Sequence, residues 1–263
     1  MTLHELLIQG CYTTIKWINK TYYFVKSINP KLAEVKKMTK KIEADGENKD
    51  LFIILNGPSL KTQDLSLLKG KNLMFVNRGF MHPLYKELQP KYHVFIDSKM
   101  RDGVWPTQWI DDIIADNPSI RIILPYTWYS HPRFENYKKC PNIYWQTWTI
   151  PFYGIGVSAA CFSYAIKNKF ENIFFTGFDA NGLAYDMIHQ ADSHFYGNDE
   201  ELANMTTKQF ALALFFHSQH LFNLNKFADY CKKKGIRIYN LTNGGLLDMF
   251  PRRRFNHPYA DSE

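Results

Sequence analysis

From residue 51 onward, short apolar runs alternate with longer stretches of helical character. The runs are LFIIL (51–55), LMFV (73–76), YHVFI (92–96), IRIIL (120–124), NIFFTGFD (172–179) and IRIYNL (236–241), with NIYWQ (142–146) as a further candidate. Four or five consecutive apolar residues are what a strand covered on both faces requires. Between them, GVSAACFSYAIKNKF (156–170) reads as a helix, and a longer helix covers about 205–234 until Gly235 stops it. The alternation predicts an α/β fold with a mostly parallel sheet and helices on both faces. No internal repeat or low-complexity tract interrupts it.

The first 50 residues follow a different pattern and form a predicted N-terminal helical extension. Residues 1–28 interleave Leu6, Leu7, Trp17, Ile18, Phe24 and Val25 with Lys16, Lys20 and Lys26. That pattern predicts an amphipathic helix. It either lies on an anionic membrane or packs on the main domain or a second subunit of a homo-oligomer. Residues 31–50 predict a second helix that ends in the loop ADGENKD.

Composition narrows the picture. A chain of 263 residues that is 45% hydrophobic suits one large α/β domain, or one domain with an attached smaller piece. The net charge of +7 favours anionic partners: nucleotides, phosphorylated glycans or a membrane surface. No nucleic-acid-binding motif accompanies the charge, so nucleic acid is not an expected partner. The four cysteines are far apart, without metal-ligand spacing, which predicts a reduced chain with no structural zinc. Neither a signal peptide nor an apolar run of ~20 residues is present, which predicts a cytoplasmic protein that does not span a bilayer.

Candidate chemistry sits where the strands end, because open α/β sheets bind ligands beyond the carboxyl ends of their strands. The first strand ends in Asn56-Gly57-Pro58-Ser59. Later strand ends carry Asn77-Arg78, Asp97-Ser98, Thr176-Gly177 with Asp179, and Thr242-Asn243-Gly244-Gly245. One polar strand end is ordinary turn chemistry, whereas five describe the rim of a pocket. In the first loop, Gly57 lets backbone approach a ligand and Pro58 fixes the turn. Ser59 is placed to cap a following helix and aim its N–H groups at an anion. The loop is neither a Walker loop nor a GxGxxG dinucleotide turn.

ILNGPSL, FVNRGF, FFTGFD, SHFYG and YNLTNGGLLDMFPR, in that order, resemble the bacterial sialyltransferases of glycosyltransferase family 42 and the wider sialyltransferase-like group. The resemblance covers residues 51–255, leaving 256–263 as a tail. It implies a single Rossmann-like domain, a GT-A-like variant, with a lid at about 180–204 and a CMP-activated sugar as donor. Carried over residue by residue, it implies nucleotide contacts by Asn56, Gly57, Ser59, Asn77, Asp97, Gly156, Ser158, Thr176, Gly177, Thr242, Asn243 and Gly244. Asp179 belongs to the catalytic rim, and Tyr185 is the lid tyrosine on the leaving phosphate, with Tyr196 as a substitute for its usual companion. The family's catalytic His falls at Asn198, which leaves His194 as the nearest imidazole, with His189 five residues before it.

The chemistry can be stated apart from the resemblance. Transfer from a nucleoside monophosphate to a hydroxyl needs a base for the acceptor proton, and His is suited to it near neutral pH. It also needs donors for the departing phosphate. No Asp-x-Asp follows a strand, so neither metal nor other cofactor is expected. The leading expectation is a glycosyltransferase acting on a bacterial surface glycan, in lipopolysaccharide or capsule biosynthesis, peripheral on the inner membrane. The alternatives are a pyrophosphokinase-like transferase of the same fold and a non-catalytic nucleotide- or glycan-binding module. PRRRF (251–255) reads either as a solvated basic patch or as a grip on an anionic acceptor or membrane through Arg252–Arg254.

Overall fold

The computed structural model describes residues 2–28, 49–146, 156–180, 192–198 and 206–260. The predicted helix over 31–50 and most of the expected lid lie outside them. Helix α1 spans Leu3–Ser27. The strands are β1 Asp50–Ile54, β2 Leu73–Val76, β3 Tyr92–Val94, β4 Arg121–Pro125, β5 Ile143–Gln146, β6 Asn172–Thr176 and β7 Arg237–Asn240. Short helices α2 (Tyr85–Leu88), α3 (Ser98–Asp102) and α4 (Gln108–Asp116) lie between β2 and β4. The longer helices are α5 (Val157–Lys167) and α6 (Thr207–Lys234).

All six strand pairings are parallel, so the sheet is wholly rather than mostly parallel. Its order is β5-β4-β3-β2-β1-β6-β7. The chain therefore steps outward from β1 to β5, then returns to place β6 on the other side of β1. That reversal is a topological switch point, and the carboxyl ends of β1 and β6 flank it. This is a Rossmann-like α/β architecture.

Alternation within the strands assigns the two faces. Phe52, Ile54, Leu73, Phe75, Ile122, Leu124 and Phe174 pack with side chains of α2–α4 and the 3₁₀ turns after β1. Leu51, Ile53, Leu55, Met74, Val76, Ile173 and Phe175 pack with Cys161, Phe162 and Ala165 of α5 and Leu224, Phe227 and Cys231 of α6. A capping box of Thr206 and Gln209 starts α6, and Gly235 in the left-handed conformation ends it. At 1.5 Å per residue this 28-residue helix is about 42 Å long. Its buried residues run only from Gln219 to Cys231. Helix α1 meets α6 near its middle, where Tyr12 stacks on Phe222 at 4.6 Å and on Phe215 at 6.4 Å.

Candidate functional site

The site grows from the junction of β1 and β6. Beyond the strands, Leu55 N–H donates to the Thr176 carbonyl (2.9 Å) and Gly57 N–H to the Gly177 carbonyl (2.8 Å), so the two loops remain paired. Close approach explains the glycines. A Cβ on Gly57 would lie 1.8 Å from Asp179 Oδ2 and 2.6 Å from the Gly177 oxygen. One on Gly177, whose φ is +69°, would lie 2.4 Å from the Leu55 oxygen.

Asp179 is buried in this junction. Its Oδ2 accepts from Ser59 Oγ (3.0 Å) and, at longer range, from Ser59 N–H (3.4 Å). Burial raises its pKa above the ordinary carboxylate value, against the lowering effect of the Ser59 hydrogen bonds. Ser59 therefore does not cap a helix. The residues after Gly57 form a five-residue 3₁₀ turn, Pro58–Thr62, whose cap position is Gly57 with no side-chain hydrogen bond. The sequence expectation of an N–H cradle for an anion fails here, because so short a turn has neither the length nor the cap.

Asn56 faces the other neighbour of β1. Its Nδ2 donates to the Val76 carbonyl (3.2 Å), and its own carbonyl accepts from Phe195 N–H (2.9 Å). Asn56 Oδ1 is buried and has no donor among the described residues. Phe195 belongs to the SHFYG loop, so His194 is carried beside the first motif. Within that loop His194 and Gly197 exchange backbone hydrogen bonds of 3.1 Å, and the His194 ring stacks on Tyr196 at 4.9 Å. Lys61 pairs with Asp192 at 2.5 Å. Asn198, at the place of the expected imidazole, accepts from Ser193 N–H at 2.7 Å and closes the loop.

Asn77 opens the next strand end in the left-handed conformation (φ +46°), which Asn tolerates better than most residues. Its Oδ1 accepts from Ile96 N–H (3.4 Å) and its carbonyl from His93 Nε2 (2.9 Å). A carbonyl only accepts, so Nε2 carries the proton and Nδ1 accepts from the Tyr85 hydroxyl (2.8 Å). His93 is fully buried, and desolvation pushes its pKa down to about 3. Asp97 caps α3 by accepting from Lys99 N–H (3.0 Å).

On the far side of β6, Thr176 Oγ1 hydrogen-bonds Gln63, whose Nε2 donates to the Leu241 carbonyl (2.7 Å). Thr242 Oγ1 accepts from Phe178 N–H (3.2 Å), and Asn243 Nδ2 donates to Thr62 Oγ1 (3.3 Å). Arg252 donates to the carbonyls of Thr242 (3.1 Å), Gly244 (2.6 Å) and Gly245 (3.0 Å). Arg253 lies over the Tyr239 ring at 3.7 Å and donates to the Pro258 carbonyl. Two of the three arginines expected as a patch, Arg252 and Arg253, thus spend their guanidinium groups within the fold, while Arg254 stays exposed. A glycine turn leaves its carbonyls needing donors, and the guanidinium of Arg252 supplies them from within the fold.

Gly156 (φ +97°) precedes α5, and Ser158 Oγ lies 3.2 Å from His220 Nε2. His220 packs on Phe178 beyond β6 (ring centroids 5.8 Å) and connects this helix start to the junction. Burial and then His217 lower its pKa to about 4, and its Nδ1 is buried without a partner among the described residues. His93, His220, Gln63 and the inward turn of Arg252 have no signature in the sequence. Tyr185 and His189 lie outside the described residues. Among those residues, no cluster of three or more His, Cys, Asp or Glu side chains is arranged to hold a metal ion.

The architecture defines a class: a Rossmann-like domain with its topological switch point beside β1, the place where open α/β sheets bind ligands. No family model matches the chain. No curated protein matches it either. Among solved structures it is similar to the sialyltransferase CstII from Campylobacter jejuni in complex with a substrate analogue, CMP-3FNeuAc. Identity is 18% over 76% of this chain and 84% of that one, with a TM-score of 0.45. Likeness at this level carries no argument about residues or chemistry.

Proposed function

We propose that the protein is a metal-independent glycosyltransferase of the sialyltransferase-like kind. It moves a sialic acid or related acidic sugar from a CMP donor to a hydroxyl of a bacterial surface glycan. The observation that carries the reading is the junction at the switch point. There Gly57, Ser59, Gly177 and Asp179 are locked together on the β6 side of β1, and on its β2 side Asn56 holds one buried acceptor, Oδ1, that has no donor among the described residues. A buried carbonyl oxygen left unpaired costs roughly 1–3 kcal/mol, which a ligand donor recovers on binding. A ribose hydroxyl or the amine of cytosine supplies that donor, whereas uracil presents an acceptor in place of the amine.

In this reading Asn77, Asp97, Gly156, Ser158, Thr176, Thr242, Asn243 and Gly244 complete the nucleotide rim. Asp179 acts by fixing Ser59. His194 takes the acceptor proton, supported by the hydrogen bond that holds its loop on Asn56. Tyr185 and Tyr196 meet the departing phosphate. The test is ligand-dependent thermal unfolding in EDTA. CMP at 100 times its dissociation constant adds about 2.7 kcal/mol, a rise of roughly 5–10 °C for a domain of this size. A preference for UDP with a manganese requirement overturns the proposal.

A second reading, a nucleotide- or glycan-binding module without catalysis, is favoured by one observation. Asn198 spends its side chain on loop closure where the resemblance places the base. Under that reading CMP raises the melting temperature, but no acceptor is glycosylated.

A further inference from the structure

Helix α1 touches the rest of the described chain along one side and shows a different side to solvent. Tyr12 faces α6. At 100° per residue, Leu3, Leu6, Leu7, Trp17, Ile18 and Val25 fall within an arc of about 120° whose centre lies opposite Tyr12. All six are exposed, Leu3 by 70% and Ile18 by 62%. Of the exposed large apolar side chains described in α1, only Ile8 lies outside this arc. Thr14 and Thr21 fall inside it, and each returns its hydroxyl to the helix. Thr14 Oγ1 donates to the Gly10 carbonyl and Thr21 Oγ1 to the Trp17 carbonyl, both at 3.0 Å. The polar atoms interrupting the stripe are thus satisfied internally, as suits a face in an apolar medium.

Charge identifies the medium. Residues 1–41 contain eight lysines against two glutamates, a net +6 out of the chain's +7. An apolar stripe on a lysine-rich segment matches an interface that is apolar below and anionic above. A second copy of the chain matches poorly, because two-fold pairing through this stripe brings together two copies of a helix that carries three lysines against one glutamate. Crossing the bilayer does not fit, since no helix among the described residues is long and apolar enough.

We infer that α1 lies flat in the headgroup region of an anionic phospholipid surface, with the Leu3–Leu7–Trp17–Ile18–Val25 stripe inserted toward the acyl chains. Tyr12 on Phe215 and Phe222 couples the bound helix to α6, and α6 to the sheet that carries the crevice. The proposal stands whether or not the donor is CMP-based.

The experiment is co-sedimentation of the full chain with vesicles of phosphatidylcholine and phosphatidylglycerol (3:1), against phosphatidylcholine alone. Light scattering reports the mass in solution. The intact chain is expected to pellet with the mixed vesicles at low salt and to stay in solution with the neutral ones. Ile18→Asp, at an exposed position, should abolish pelleting while leaving melting temperature and solution mass unchanged. The pair Lys16→Gln and Lys20→Gln should weaken partitioning roughly 25-fold, at about fivefold per lysine. Equal pelleting with both vesicles, no pelleting with either, or pelleting that survives Ile18→Asp overturns the inference. So does a fall in solution mass on Ile18→Asp, which assigns the stripe to a second copy.

Discussion

Acid should loosen the crevice from beneath, through His93. The ring is fully buried, donates from Nε2 to the Asn77 carbonyl and accepts at Nδ1 from Tyr85. Its folded pKa is lowered from 6.5 to about 3, with desolvation as the main cause. Below pH 6.5 the unfolded chain takes up a proton that the folded chain refuses, so stability is complete above 6.5 and is lost as pH falls toward 3. At about 1.4 kcal/mol per unit, the 3.5-unit gap is worth roughly 5 kcal/mol, of which about 2 is already lost at pH 5. His220, lowered to about 4, adds a loss of the same sign, while Asp179, raised by burial, acts in the opposite sense above 3.8. A variant isolates the His93 contribution. In His93→Gln the amide can donate to Asn77 and accept from Tyr85 without titrating. Urea unfolding of both proteins at pH 7, 6 and 5 should show the parent losing about 2 kcal/mol more than the variant between 7 and 5. Parallel losses in the two proteins refute the reasoning, because His93 would then be taking up its proton in the folded state.

Other outcomes follow from the same geometry. Gly57→Ala places a methyl against Asp179 and the Gly177 carbonyl; it should cost about 1–3 kcal/mol in denaturant unfolding and abolish CMP-dependent stabilisation. Arg252→Ala removes three hydrogen bonds to the Thr242–Gly245 turn and should cost about 2 kcal/mol, with a larger drop in affinity for CMP than in stability if the turn belongs to the rim. His194→Ala should lower turnover by 10²–10⁴-fold with CMP affinity nearly unchanged, while His189→Ala loses much less; the reverse order assigns the base to His189.

The strands were legible because each is buried on both faces and so reads as an uninterrupted apolar run. LMFV is β2 to the residue, and the other runs deviate by a few residues at their ends. Their spatial order was not legible, since nothing in NIFFT states that it pairs with LFII rather than with the preceding strand. The rim was half legible. Small and polar strand ends marked Asn56, Gly57, Gly177 and Asp179, which the structure brings together at the carboxyl ends of β1 and β6. The bond from Ser59 to Asp179 joins residues 120 apart, and local pattern cannot report it. Ser59 in the motif looked like a helix cap because caps are the commonest use of such a serine. Arg252 looked solvent-facing because arginine runs usually are, but its partners are backbone carbonyls, which carry no sequence identity. His93 sits inside an apolar run, where its neighbours disguise it as filler.

The position of β1 also constrains how the chain is made. It lies in the middle of the sheet, yet its two edges are satisfied at very different times. One edge meets β2 soon after synthesis. The other meets β6, whose Asn172 pairs with Asp50 across 122 residues. At 5–20 residues per second, a ribosome needs roughly 6–24 s to deliver that partner. For that interval β1 presents a row of unpaired backbone N–H and C=O groups, open to any other extended chain. A product truncated before Asn172 keeps the edge open permanently, and premature termination should yield aggregates rather than a smaller folded domain.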